Sequence, residues 1–369
     1  MNQNKIWLFR LISVAFGLTA ALIIGELILQ VYAGRITGQD RMDEGLIQYH
    51  SQLGWKLSRG WHGMHNHVDY DVEYSTDRRG LRQNGSAFKS GPEPLLVLGD
   101  SFTFGLGVND QETFVAQLNS SQSIYEFFNG GVPGYSPDQV LLWSKSAVEM
   151  TQPVHVLFFL YLGNDLIDLA LPFPIQAGHG KPYADIELDG SGIERLVIRN
   201  MPVPMMEKPP ELKGQTLGSY LLGPEQNKVR YGLRVLDFIA VQFSSVDERA
   251  IDILQQKISP SVALFKLVYA EFLNEVILAQ NISGATLVLL PGSSLINDPS
   301  SISGTYQSLL TTALTNLAAN ENWELIDLGE ALKASSDGMY FPNDGHLSPA
   351  GHKLVAAKLL KSSLFSVGR

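Results

Sequence analysis

The chain has 369 residues, 45% of them hydrophobic and 17% charged. That balance is too apolar for a disordered protein, and the length suits one large core or two ordinary domains. With 37 acidic against 27 basic side chains the formal charge is −10; together with the lack of a long Lys/Arg run, this argues against a nucleic-acid partner held through its phosphates. Cysteine is absent, which excludes disulfides, thiolate zinc sites, iron–sulfur clusters and a cysteine nucleophile.

Leu11 to Tyr32 is a run of apolar and small residues with one charge, Glu26, near its far end. As a helix it spans ~33 Å, against roughly 30 Å of bilayer hydrocarbon. The reading adopted for residues 1–35 is an uncleaved single-pass transmembrane anchor. Lys5 and Arg10 precede the run, and the short leading tail favours a cytoplasmic N-terminus with everything after Tyr32 exported, to the periplasm or beyond. Two rivals stand beside it. A cleaved signal peptide usually has a shorter apolar core, of ~7–15 residues, and a soluble helix is seldom apolar on every face.

Residues 36–93 are polar, aromatic and turn-rich, and read as an N-terminal extension. Alternation over His67–Tyr74 predicts a half-exposed strand. From residue 94 to 369 the pattern is that of one α/β domain. Leu95–Leu98, Tyr125–Asn129, Val154–Leu162, Thr286–Leu290 and Glu324–Leu328 read as strands. Helices are predicted from near Asp110, from Pro137 behind an N-cap Ser136, over about Val262–Ala279 and Tyr306–Ala319, and from Pro349 towards Leu360. Strands alternating with helices imply a mostly parallel sheet covered on both faces. The alternation breaks at about residues 172–258, a Pro/Gly-rich insertion with one expected helix near Tyr231–Phe243. Insertions of this length serve as lids or binding surfaces, or are mobile.

Ligands of open α/β sheets bind at the carboxyl ends of the strands, and four polar clusters fall there. Gly99-Asp100-Ser101 places a serine just past a buried strand. It fails the G-x-S-x-G elbow because Thr103 occupies the second glycine position, and alone it reads as a turn. Asn129-Gly130-Gly131-Val132-Pro133-Gly134 leads into a helix and offers free amides, or is a plain strand-to-helix turn. Gly163-Asn164-Asp165 supplies an amide able to donate to an oxyanion, or an ordinary Asn-Asp turn. In Asp344-Gly345-His346 a carboxylate sits two residues from an imidazole whose tautomer it can fix; a lone histidine beside a helix cap is more often structural. His352 reads as packing or surface, and His155 and His179 have no partner in sequence.

In this order the four blocks resemble the SGNH/GDSL hydrolase superfamily, in its membrane-anchored bacterial form. The resemblance covers about residues 94–170 and 260–365. It implies a three-layer α/β/α flavodoxin-like sheet, with Ser101 as nucleophile, His346 as base and Asp344 as its acid. It further implies an oxyanion hole made by the Ser101 and Gly134 amides and the Asn164 side chain. Two positions depart from the commonest pattern: Leu162 replaces a glycine, and Asn343 stands where the acid usually sits, three before the histidine.

The chemistry implied is acyl transfer through an acyl-serine, with no metal and no organic cofactor. Three functions remain open. One is an esterase acting on acyl, chiefly acetyl, esters of a cell-envelope glycan. Another is an O-acetyltransferase modifying an exported polysaccharide, and the third is a non-catalytic glycan-binding protein. Trp55, Trp61, Tyr70, Tyr74, Tyr183, Tyr220 and Tyr231 are candidates for a sugar-stacking surface, though such residues more often pack a core.

Overall fold

The computed structural model describes residues 3–84, 92–122, 124–175, 178–213, 220–221, 246, 248–335 and 338–362. Helix α1 (Gln3–Gln39) contains a stretch, Ile6–Val31, of mean hydropathy 2.2 with none of it buried against the rest of the chain. By length and composition it is able to cross a membrane.

Five short strands follow: β1 (Arg41–Met42), β2 (Ile47–His50), β3 (Gly54–Leu57), β4 (His62–His67) and β5 (Tyr70–Ser75). They form an antiparallel β1-β4-β5 sheet and a β2-β3 hairpin. The single strand expected over His67–Tyr74 is instead the tip of a hairpin, because His67 pairs with Tyr70 across a two-residue turn at Val68 and Asp69. Alternation survives on β5, where Tyr70, Val72 and Tyr74 point inward. A turn that keeps the apolar residues on one face is invisible to a pattern of period two.

The remaining elements are β6 (Glu93–Leu98), α2 (Ser101–Phe104), α3 (Phe114–Ser121), β7 (Tyr125–Asn129), α4 (Pro137–Thr151), β8 (His155–Tyr161), α5 (Asp165–Asp168), β9 (Tyr183–Leu188), β10 (Glu194–Arg199), α6 (Glu248–Phe272), β11 (Gly284–Leu290), α7 (Ser293–Asn297), α8 (Ile302–Glu321), β12 (Glu324–Asp327), α9 (Gly329–Ala334) and α10 (Pro349–Leu360). The core is a five-stranded parallel sheet of order β12-β11-β8-β6-β7. Its central strands are continuous apolar runs because both faces are covered. On one face Leu96, Leu98 and Phe158 meet α4, α6 and α8. On the other, Leu95, Val97 and Phe159 meet α3 and α10. Counted from β6, the order is 2-1-3-4-5, the flavodoxin-like winding, whose switch point lies between β6 and β8.

Two helix boundaries differ from the sequence reading. The helix expected near Asp110 is a single tight turn (Asp110–Glu112), and α3 starts only at Phe114, after Thr113 caps it by accepting from the Ala116 amide. The helix expected from Val262 begins at Glu248 and runs through Pro260, then widens over Leu273–Leu278. A proline inside a helix costs about 3 kcal/mol. Burial of Leu254 and Ile258 before it and Leu264 and Phe265 after it outweighs that. Within the insertion, β9 and β10 form a hairpin around Asp189-Gly190-Ser191-Gly192. The helix expected at Tyr231–Phe243 lies outside the described residues.

Candidate active site

Strand β6 stops at Leu98, and Asp100 caps α2 by accepting from the Phe102 amide at 3.0 Å. Ser101 is therefore the first residue of a four-residue helix, closed by Gly105 in the left-handed region (φ 85°). The second cluster is clasped to this helix. Asn129 Nδ2 donates to the Thr103 carbonyl at 2.9 Å, and the Val132 amide donates to the Gly99 carbonyl at 3.0 Å. Gly131 approaches so closely that a Cβ there would lie 2.3 Å from the Phe104 nitrogen, so only glycine fits. Gly134, at φ 79°, rides over the Trp55 ring, whose Nε1 donates to the Pro133 carbonyl at 2.9 Å. Neither the Ser101 nor the Gly134 amide donates to an acceptor among the described residues.

At the end of β8, Asn164 precedes α5, and its Nδ2 donates to Asp168 Oδ2 at 2.6 Å. The amide has two hydrogens, so one remains for a ligand. The loop before α10 carries the fourth cluster. His346 Nε2 lies 2.8 Å from Ser101 Oγ, and Nδ1 lies 2.8 Å from Asp344 Oδ2. Because a carboxylate accepts, Nδ1 carries the proton and Nε2 is left to accept from the serine hydroxyl. The imidazole packs on Phe102 at 4.5 Å between ring centres, and Phe102 stacks on Tyr161 at 3.9 Å. Ser101, Asp344 and His346 are thus one hydrogen-bonded chain, joined over 245 positions of sequence.

The surroundings are acidic and buried. Burial acts to raise the Asp344 carboxyl, but its hydrogen bond to His346 and the charges of His346 and His67 outweigh this and hold it below the usual range. Asp100 is pushed up to about 6 by burial, although the His346 charge and backbone amides pull it down. Burial, then the Asp100 charge, drives Asp165 well above the ordinary value. Asp168 is raised by burial against the pull of the Ile175 amide and Asn164. Beneath the second cluster, Lys181 Nζ donates to Asp138 Oδ2 at 2.7 Å with neither side chain exposed. Among the described residues no group of three or more His, Asp or Glu is arranged to hold a metal ion.

Several expectations about single residues resolve here. His352 is buried, accepts from the Phe114 amide at 3.2 Å and is pushed down to about 3 by burial, with the Arg82 and His346 charges adding, so it is a neutral packing group. His155 bonds Thr286 Oγ1 at 2.9 Å. Trp55, Tyr70 and Tyr74 are core, and Trp61, Tyr183 and Tyr220 are half-buried; Tyr231 lies outside the described residues. Sequence reasoning missed Asp168, Lys181 and Asp69, since a single acid or lysine carries no signal of its partner.

No family profile matches the chain, and no curated protein matches it. Solved structures do. One is a member of the lipolytic protein G-D-S-L family from Veillonella parvula DSM 2008, at 12% identity and TM-score 0.40, covering 74% of this chain and 99% of that one. Another is the lipase/acylhydrolase from Enterococcus faecalis, at 15% and 0.39, covering 73% and 94%. A third is a catalytic mutant of an acetylxylan esterase from Geobacillus stearothermophilus, at 13% and 0.39, covering 74% and 95%. Identities this low fix no activity, and the chemistry rests on the site's own geometry.

Proposed function

We propose that this chain is a serine-dependent ester hydrolase acting on acyl, chiefly acetyl, esters of a cell-envelope glycan. The observation that carries the reading is the unbroken chain Ser101 Oγ to His346 Nε2 and His346 Nδ1 to Asp344 Oδ2, both links 2.8 Å. A serine hydroxyl is a poor nucleophile without such a base. His346 takes the Ser101 proton as Oγ attacks the ester carbonyl, giving a tetrahedral oxyanion. The Ser101 and Gly134 amides and the free hydrogen on Asn164 Nδ2 are its assigned donors. Collapse expels the alcohol with the proton held on His346 and leaves an acyl-serine. Water, deprotonated by His346, then attacks the acyl carbon; the carboxylic acid leaves and Ser101 regains its proton.

The same acyl-serine yields an O-acetyltransferase if a sugar hydroxyl replaces water. The exposed apolar stretch Ile6–Val31, with Lys5 before it and Arg10 in its first turns, supports a single-pass anchor holding the domain on the exported side. The test is hydrolysis of p-nitrophenyl acetate by the full chain in detergent. Ser101→Ala and His346→Ala should each cost at least about 10³-fold. A wild-type protein inert to both this ester and a fluorophosphonate would instead mark a glycan-binding module. Labelled acetyl appearing on an added oligosaccharide, rather than as free acetate, would assign the transferase.

A further inference from the structure

The loop that bears Asp344 is not held by the hydrolase domain alone. At the tip of the β4–β5 hairpin, Asp69 accepts from three donors of that loop. Its Oδ2 takes the Asn343 and Asp344 amides, both at 2.9 Å, and its Oδ1 takes Asn343 Nδ2 at 2.6 Å. The Asp69 side chain is 5% exposed, so these bonds form largely out of water, where a bond to a charged group is strong and a missing one costly. The loop's own closure is weaker in reach. The Phe341 amide donates to the His346 carbonyl and the Gly345 amide to the Phe341 carbonyl, which shapes the turn without fixing it to anything outside.

The acid–histidine spacing explains why such a grip is needed. With only Gly345 between them, Asp344 and His346 meet across a turn that puts Gly345 at φ 81°. In so tight a turn the carboxylate's direction is set by the backbone of residue 344 itself, and Asp69 holds that backbone by its amide. Asn343, at the place where the commonest last block has its acid, turns both its amide and its side chain to Asp69 instead. The hairpin is seated by aromatic packing: Tyr70 lies 5.0 Å from Phe341 and stacks on His67 at 4.9 Å.

We infer that Asp69 is a positioning residue for Asp344 and His346, so that the N-terminal hairpin is a working part of the active site and not a separate cover. This rests on the ester-hydrolase reading above. Asp69 takes no proton in the reaction; it sets where Asp344 Oδ2 meets Nδ1.

The experiment measures kcat and KM for p-nitrophenyl acetate on the full chain in detergent. The variants are Asp69→Ala, Asp69→Asn, Asp344→Ala, the double Asp69→Ala/Asp344→Ala, and the control Asp71→Asn on the solvent face of the same hairpin. Asp69→Ala should lower kcat about 10- to 100-fold with KM within about twofold. Asp69→Asn, which keeps an oxygen for the amides, should recover part of that loss, and Asp71→Asn should leave kcat unchanged. The double variant should be no slower than Asp344→Ala, since residues acting as one unit are not additive. A merely stapling Asp69 would lower the melting temperature and leave kcat of the folded fraction intact. An active wild type whose kcat is untouched by Asp69→Ala and Asp69→Asn, or a double variant slower by the full Asp69→Ala factor, overturns this inference alone. An inert wild type overturns the ester reading and this inference with it.

Discussion

Asp100 stands beside Ser101, the proposed nucleophile, with Oδ2 3.5 Å from its Oγ, and only 4% of the residue is exposed. Burial lifts its carboxyl from 3.8 to about 6, a difference of about 3 kcal/mol between its two protonation states. The sign follows from linkage. Below pH 3.8 the group is protonated folded and unfolded, and it costs nothing. As pH rises through about 6 the folded protein must hold a buried charge that the unfolded chain carries in water, and above that the cost is complete. Asp100→Asn removes the charge while its Oδ1 still accepts from the Phe102 amide, so the α2 cap persists. The new Nδ2 gains no strong partner, at a cost of about 1 kcal/mol. The variant should therefore be more stable than wild type by about 2 kcal/mol near pH 8, with the gain vanishing or reversing near pH 4. Guanidinium unfolding of the full chain in detergent, followed by tryptophan fluorescence across that range, measures it. A gain that does not change with pH, or no gain at all near pH 8, refutes the reasoning.

Lys181→Met leaves Asp138 buried without its cation and should cost about 3–5 kcal/mol. Because burial raises the Asp138 carboxyl, that loss should shrink as pH falls towards the ordinary carboxylate range, and Lys181→Met/Asp138→Asn should recover more than half of it; unfolding midpoints near pH 5 and pH 8 decide. Gly131→Ala would place its Cβ 2.3 Å from the Phe104 nitrogen and should destabilise by about 3 kcal/mol, with esterase activity falling more than the folded fraction accounts for. Asn164→Ala should lower kcat about 10²-fold by removing an oxyanion donor. Asp168→Ala, which frees the Asn164 amide to turn, should cost about 10-fold with KM unchanged, read by steady-state kinetics.

The sheet was legible because its strands are buried on both faces, and a continuous apolar run such as Leu95–Leu98 has no competing explanation as a surface strand. Helix α4 was legible for a local reason, since Ser136, Pro137 and Gln139 compose its cap within four residues. Ser101 was legible as a serine at a strand end and Asp344 and His346 as an acid–base pair just before the last helix, and their two-residue spacing survives as a direct bond. What failed was long-range. Nothing in His67–Tyr74 announces that its start is a turn whose acid reaches Asn343, 274 positions away. Nor does Pro260 announce that apolar burial on both sides keeps α6 intact, because the cost of a proline is local and the gain is tertiary.

The acidic environment links these threads. Asp100, Asp165, Asp168 and Asp138 are all pushed upward by burial near the serine end of the sheet, whereas the half-buried Asp344 is held down by its hydrogen bond to His346. Two of these carboxyls have a basic partner at 2.7–2.8 Å: Asp138 has the Lys181 ammonium, and Asp344 has the imidazole Nδ1 of His346. In the proposed reaction, charge arising on the His346 ring is stabilised by the carboxylate bonded to its Nδ1. The depressed acid beside raised neighbours is the pattern expected where one carboxylate must stay an acceptor for a proton-carrying imidazole.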